Sequence, residues 1–109
     1  MSMWIRSAFW MGRPKAGMET SFQALMDTTL VPGLKALPGV RSVKALWPRL
    51  REDDPPAICC QVVVEFDTRA DVDRMLASPA RAAMRPGVIE AKSMFDGHLA
   101  HIDYEAGPA

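Results

Sequence analysis

The spacing of apolar residues along the chain predicts two clear strands. Residues 3–11, MWIRSAFWM, are rich in aromatic and β-branched side chains and precede a Gly-Arg-Pro sequence, which predicts a strand that ends in a loop. Residues 57–66, AICCQVVVEF, predict the clearest strand of the chain, because every second side chain belongs to one fully apolar face. The opposite face is apolar in part and carries Gln61 and Glu65. One side of this strand therefore belongs in a core, and the other side combines apolar and polar positions.

Between these two strands, apolar residues recur every three or four positions through residues 18–37, which predicts an amphipathic helix. Thr20 and Gln23 have the spacing of a capping box and predict where this helix starts. Pro32 lies inside the apolar stripe, where it removes a backbone donor and crowds the preceding turn. We therefore expect the helix to kink or restart near Val31 and to end at the Leu-Pro-Gly sequence that follows.

The remaining segments predict an edge strand, a second helix and a last strand. Residues 40–50 mix β-branched, basic and aromatic types, and Pro48 restricts this strand to a sheet edge because it cannot donate a hydrogen bond to a neighbour. Thr68 is expected to start a second helix, which restarts at a Ser-Pro pair and stops at an Arg-Pro-Gly sequence. Residues 88–104 predict the last strand, with a bend at Gly97.

The resulting order, βαββαβ, predicts an α+β, ferredoxin-like fold formed by residues 1–109 as a single domain. Its four-stranded antiparallel sheet carries both helices on one face, so the other face presents apolar side chains to water. Because large exposed apolar patches mark interfaces, we expect a homodimer through this open sheet face. A small-molecule ligand would bind between sheet and helices or between the two sheets.

Charge and cysteine content narrow the possible partners. Lys and Arg (13) balance Asp and Glu (13), which argues against binding to nucleic acid or to an anionic membrane surface. No apolar run approaches the length of a membrane span, and the apolar N-terminus lacks the features of a secretion signal. Cys59 and Cys60 are adjacent in a strand, so their side chains point to opposite faces. We interpret them as reduced core residues of a cytoplasmic protein.

Residues 19–40, ETSFQALMDTTLVPGLKALPGV, resemble the first helix and turn of the EthD-like family, which belongs to the dimeric α/β-barrel superfamily. The family pattern contains a Phe, then an aromatic residue and His-Ala-Pro-Leu, and a closing Leu-Pro-Gly. Phe22 matches the Phe, Pro32 matches the interior Pro, and residues 37–39 match the closing turn. Residues 66–80, FDTRADVDRMLASPA, are similar to the second helix of the family.

This resemblance implies a small enzyme that needs no cofactor and acts on a small, often aromatic or polyketide-like compound, as an isomerase, dehydratase, decarboxylase or monooxygenase. Leu30 stands where the family often has a His, which weakens an activity inferred from the family. Two other hypotheses therefore remain open. The protein is a binding or accessory protein that holds a metabolite of a catabolic or biosynthetic pathway without transforming it, or it is a structural dimer whose cavity is filled by its own side chains.

The two histidines, His98 and His101, are the candidates for acid–base catalysis, because imidazole titrates near neutral pH. Three positions apart on an extended strand, they point to opposite faces and cannot share a metal ion unless Gly97 breaks the strand. Two ligands also fall short of the three or four protein ligands of a zinc site, so we expect no metal. The alternative is that both are ordinary surface or hydrogen-bonded histidines.

Candidate substrate-binding residues come from charges and aromatic rings on the predicted strands. Arg6 and Glu65 lie on strands that should be neighbours, where they form an ion pair or an interface contact, or else hold a polar substrate group. Gln61 shares the face of Glu65 and would complete a polar patch. Trp10 and Trp47 suit a flat ligand, although tryptophans also serve as core residues and dimer anchors.

Overall fold

Four strands form one antiparallel sheet in this computed structural model, which describes residues 3–108; residues 1, 2 and 109 of the predicted domain lie outside the described residues. The strands are β1 (Trp4–Pro14), β2 (Val40–Leu46), β3 (Ile58–Phe66) and β4 (Phe95–Glu105). Their order in the sheet is β2-β3-β1-β4, so β2 is an edge strand as predicted, but it ends at Leu46 and does not include Pro48, on which the prediction rested. The helices lie on one side of this sheet, which confirms the ferredoxin-like α+β fold.

The first crossover is one helical stretch that changes its winding. It consists of α1 (Glu19–Leu25), a π-helical turn (Met26–Leu30) and α2 (Val31–Lys35). The π-helical turn ends at Leu30, two residues before Pro32. Because the ring nitrogen of Pro32 has no hydrogen to donate, the helix accommodates the proline by widening instead of restarting. The predicted distortion is therefore present, but the predicted capping box is wrong. The helix begins at Glu19 after Met18, and no side chain caps it.

The second crossover contains three short helices, where the sequence predicted one helix and a restarted turn. They are α3 (Arg69–Leu76), α4 (Pro79–Ala82) and α5 (Arg85–Ser93). The predicted starts of the first two are correct, because the hydroxyl groups of Thr68 and Ser78 each accept a hydrogen bond, at 3.1 Å, from the backbone N–H three residues later.

The prediction that residues 85–87 end this helix and that the last strand enters near Ile89 is wrong. The Arg-Pro-Gly sequence opens α5 instead, since a proline in the first turn of a helix lacks only a donor that would be unpaired there anyway. The strand β4 begins only at Phe95. It continues through Gly97, where a Cβ atom would overlap the backbone carbonyl of Met11 on β1.

The core lies between the helices and one face of the sheet. Four alternate residues of β3, from Cys60 to Phe66, are buried on this face. At one end of the layer, the rings of Trp10, Phe22 and Phe95 lie 5.2–5.4 Å apart and form an aromatic cluster. These large side chains fill that end of the space between helices and sheet.

The opposite face of the sheet has no helix against it. Three of its apolar side chains remain well exposed: Leu46 at 45%, Ile102 at 47% and Tyr104 at 41%. The polar residues on this face bond to each other. Gln61 donates to the hydroxyl of Ser7 at 3.2 Å.

The difference between the predicted and the observed helix cap can be tested directly. We expect Thr68→Ala to lower the free energy of unfolding by about 1 kcal/mol, because the N–H of Asp71 loses its acceptor. Thr20→Ala is the matched control and should change it by less than about 0.5 kcal/mol, since Thr20 lies inside α1 and is exposed. Urea denaturation of both variants measures these effects, and a larger loss for Thr20→Ala would contradict the observed helix start.

Candidate functional site

A cavity of about 620 Å³ lies between the helix-facing side of the sheet and the helices. This volume falls within the usual range of small-molecule sites. Most of its lining is apolar, from Ala8, Trp10, Met26, Leu30, Leu34, Val62, Val64, Met75, Leu76, Ala82, Met84, Val88, Ile89 and Leu99. The polar lining residues are Arg6, Arg81, Arg85, Lys92 and His101. The cavity is thus an apolar space with five polar or charged side chains.

The apolar stripe of the first helix supplies one wall. Met26 and Leu30 belong to the π-helical turn and are almost fully buried against the cavity. Leu30 is the position where the resemblance expects a His. In this chain that position contributes a hydrocarbon side chain to the wall, so any acid–base group of the cavity must come from another element.

Arg6 reaches the cavity from β1 and is fixed by a carboxylate on the neighbouring strand. Its Nη1 donates to both carboxylate oxygens of Asp103 at 3.0 Å, across the register that pairs these residues in β1 and β4. The expected ion pair between Arg6 and Glu65 is wrong. Glu65 lies opposite Ile5, and because neighbouring residues of a strand point to opposite faces, it lies on the open face, where it accepts from Ser42 at 2.9 Å.

His101 lies on β4 directly opposite Ala8, on the same face as Asp103. The residue lines the cavity and remains exposed in part, while neighbouring protein displaces some of the water around it. This desolvation, together with the positive charges of Arg6 and Arg81, lowers the pKa of His101 from 6.5 to about 4. The imidazole is therefore neutral at neutral pH and has a lone pair that can accept a proton.

The structure brings together only part of the set predicted from the sequence. Arg6, Trp10 and His101 line the large cavity. His98 does not line this cavity and borders a smaller one of about 210 Å³, which shares Trp10, Lys92 and Leu99 with it. The other three predicted residues lie elsewhere: Gln61 and Glu65 on the open face, and Trp47 with its ring 6.4 Å from that of Phe22.

Three cations of the cavity were not predicted from the sequence. Arg81 lies on α4, and Arg85 and Lys92 lie on α5, the segment that was predicted as a turn and a strand. Their spacing of four and seven residues is that of side chains on one side of a helix. This spacing was the available signal, but it is visible only when residues 81–92 are considered helical.

These three cations are not neutralised by carboxylates. Within residues 3–108, the ion pairs are Arg6–Asp103, Arg41–Asp67 and Arg74–Asp71. Arg81, Arg85 and Lys92 are therefore without a carboxylate partner in the described part of the chain, and their side chains are exposed at the edge of the cavity. With Arg6 paired to Asp103 and His101 neutral, the cavity carries a net positive charge.

Other kinds of chemistry receive less support from the described residues. Burial raises the pKa of the Cys60 thiol to about 12 and also raises that of Cys59, so both free thiols are protonated at neutral pH. Between residues 3 and 108, no three His, Cys, Asp or Glu side chains come together as a metal-binding group. In the same range, no helix has the length and apolar character needed to cross a membrane.

Comparison with known proteins supports the fold. No protein-family model and no curated protein matches the chain. An EthD family protein from Bacillus halodurans is 12% identical, covers 98% of this chain and 100% of its own, and superposes with a TM-score of 0.74. A dimeric protein of unknown function with a ferredoxin-like fold, from Bacteroides fragilis, is 17% identical over 95% of this chain and 96% of its own, with a TM-score of 0.64.

A third structure, of a variant of the cofactor-independent oxygenase SnoaB from Streptomyces nogalater, is 15% identical over 99% of this chain and 95% of its own, with a TM-score of 0.62. At such low identity these likenesses show the fold alone. The chain therefore has the ferredoxin-like fold that its order of strands and helices predicted, and it shares this fold with an EthD family protein.

Proposed function

We propose that the protein is a small enzyme that needs no cofactor and moves a proton on a small, aromatic or polyketide-like metabolite, with His101 as the general base. The observation that carries this proposal is the position of the His101 imidazole at the wall of a largely apolar cavity that also contains positive charges; these charges and desolvation lower its pKa and favour the neutral ring. A neutral imidazole can remove a proton, and nearby cations stabilise the negative charge that develops on the substrate.

The surrounding residues support each part of such a step. The apolar walls displace water from the substrate, which strengthens electrostatic interactions inside the cavity. Arg6 is held in place by Asp103, so its guanidinium group has a fixed position near His101. In this proposal Arg6 stabilises an enolate or phenolate oxygen, His101 takes the proton, and Trp10 packs against the apolar body of the substrate.

A second candidate function is a binding or accessory protein without catalysis. The buried Leu30 favours it, because this chain has a hydrocarbon where the EthD-like pattern has an imidazole. Both candidates use the same cavity, and they differ in whether the bound molecule is transformed.

We also propose that the protein is a cytoplasmic homodimer. The uncovered sheet face with its exposed apolar side chains supports a second copy as its cover, and the similar Bacteroides fragilis protein is described as dimeric. The two adjacent free cysteines fit a reducing compartment.

Proton abstraction can be tested without the natural substrate by using 5-nitrobenzisoxazole. When a base removes its C3 proton, the N–O bond breaks and the electron pair remains on a coloured cyanophenolate. We expect the wild-type protein to accelerate this reaction and His101→Gln to lose about tenfold or more of the rate. His98→Gln is the matched control and should keep the wild-type rate. A wild-type rate equal to that of buffer, or full activity of His101→Gln, would contradict the enzyme proposal.

The protonation of His101 predicts a pH dependence of stability. Since its pKa is about 4 in the folded chain and 6.5 for an unperturbed histidine, the unfolded chain binds more protons between these values. Stability should therefore fall as the pH drops from about 6.5 to about 4, and urea denaturation at pH 7 and pH 5 should show a smaller fall for His101→Gln than for the wild type. An NMR titration of the His101 ring with a midpoint above about 6 would refute the lowered pKa.

The dimer proposal predicts the behaviour of two matched substitutions. Ile102→Glu introduces a charge on the open sheet face and should convert a dimer into monomers at micromolar concentration. Leu50→Glu, in an exposed position after β2, should leave the dimer intact. Analytical ultracentrifugation measures both, with circular dichroism to verify folding. A wild-type protein that sediments as a monomer would refute the dimer.

A further inference from the structure

We propose that the cavity selects an amphipathic carboxylate, whose apolar body lies against the cavity walls and whose carboxylate binds Arg81, Arg85 and Lys92. This inference specifies the substrate class of the site described above, and in that respect it rests on the proposed function. The distribution of charge and apolar surface around the cavity supports it.

The charge of the cavity favours an anionic ligand. Arg81, Arg85 and Lys92 line the cavity from α4 and α5, and in residues 3–108 none of them is within 4.0 Å of a carboxylate. In a chain with equal numbers of positive and negative residues, four Lys and Arg residues and no described Asp or Glu line this one cavity. Guanidinium and ammonium groups bind carboxylates through charge-assisted hydrogen bonds, and two arginines offer a planar fork each.

The position of the cations relative to the apolar lining favours a ligand with two unlike ends. The three cationic side chains of α4 and α5 are exposed, whereas Trp10, Val62, Val64 and Met75, which line the cavity from β1, β3 and α3, are buried. A ligand that satisfies both parts has an anionic end at the opening and an apolar body inside. Neutral apolar compounds leave the cations without an anionic partner, and small inorganic anions do not displace water from the apolar walls.

The positive potential of the cavity also extends to the candidate base. The charges of Arg6, Arg81 and Lys92 all act on His101, and Asp103 opposes them. Arg85 also lines the same cavity, while β3, the π-helical turn, α2 and α3 face it with apolar side chains. A carboxylate bound to these cations offsets their effect and raises the pKa of His101, which makes the imidazole a stronger base when substrate is present.

The proposal is tested with two pairs of probes, 2-naphthoate with 2-naphthamide and decanoate with decanamide. The members of each pair have nearly the same shape and differ in charge. Isothermal titration calorimetry at pH 7 should give at least about fivefold tighter binding for the carboxylate in one pair or both, with a preference that decreases as salt is added. Arg81→Gln, Arg85→Gln and Lys92→Gln should each weaken carboxylate binding about threefold or more and leave amide binding unchanged.

Arg69→Gln is the matched control, since Arg69 is an exposed arginine of α3 that stacks on Trp4 and does not line the cavity. It should bind both probes as the wild type does. As a second measurement, NMR should show the pKa of His101 rising when the carboxylate binds and not when the amide binds. Equal affinity for acid and amide in both pairs, no detectable binding of either carboxylate, or equal losses in Arg69→Gln and the cavity variants would overturn the proposal.

Carboxylate selectivity and catalysis can fail separately. Carboxylate selectivity without any acceleration of 5-nitrobenzisoxazole opening would support this inference and refute catalysis by His101. Acceleration without carboxylate selectivity would support the base and refute the substrate class.

Discussion

The structure depends on the way in which short helices cover one face of a four-stranded sheet. The buried row of β3 requires a cover, and the aromatic cluster of Trp10, Phe22 and Phe95 fills one end of the layer densely. Elsewhere the sheet presents smaller side chains, such as Ala8 and Val62, and the helices do not close the space above them. The cavity follows from this uneven filling, because well-packed interiors otherwise leave few voids.

The same arrangement determines the charge of the cavity. Strand β4 alternates, so Leu99, His101 and Asp103 point toward the helices together. Asp103 neutralises Arg6, and no described carboxylate does the same for the cations of α4 and α5. In the proposed function, a neutral imidazole next to unpaired cations in an apolar space favours reactions in which a substrate gains negative charge, and the same cations favour ligands that are already negatively charged.

Several predictions from local signals in the sequence were correct. The alternation of β3, the cap at Thr68 and the edge position of β2 all follow from residues close in the chain, and the structure has each of them. The prediction was wrong at residues 85–93, where Pro and Gly were interpreted as the end of a helix. Proline is compatible with the first turn of a helix and incompatible with its interior, and composition alone does not distinguish these two positions.

The sequence by itself determined the fold and the face of each strand on which a side chain lies. Side chains alternate between the two faces of a strand, so the order of the residues assigns each one to a face. Only the tertiary structure decided which charges meet. Arg6 and Asp103 are 97 positions apart in the chain, and their contact depends on the register between β1 and β4. Register and helix placement arise from packing across the whole domain, so the partner of Arg6 and the cations of the cavity were not visible in any local pattern.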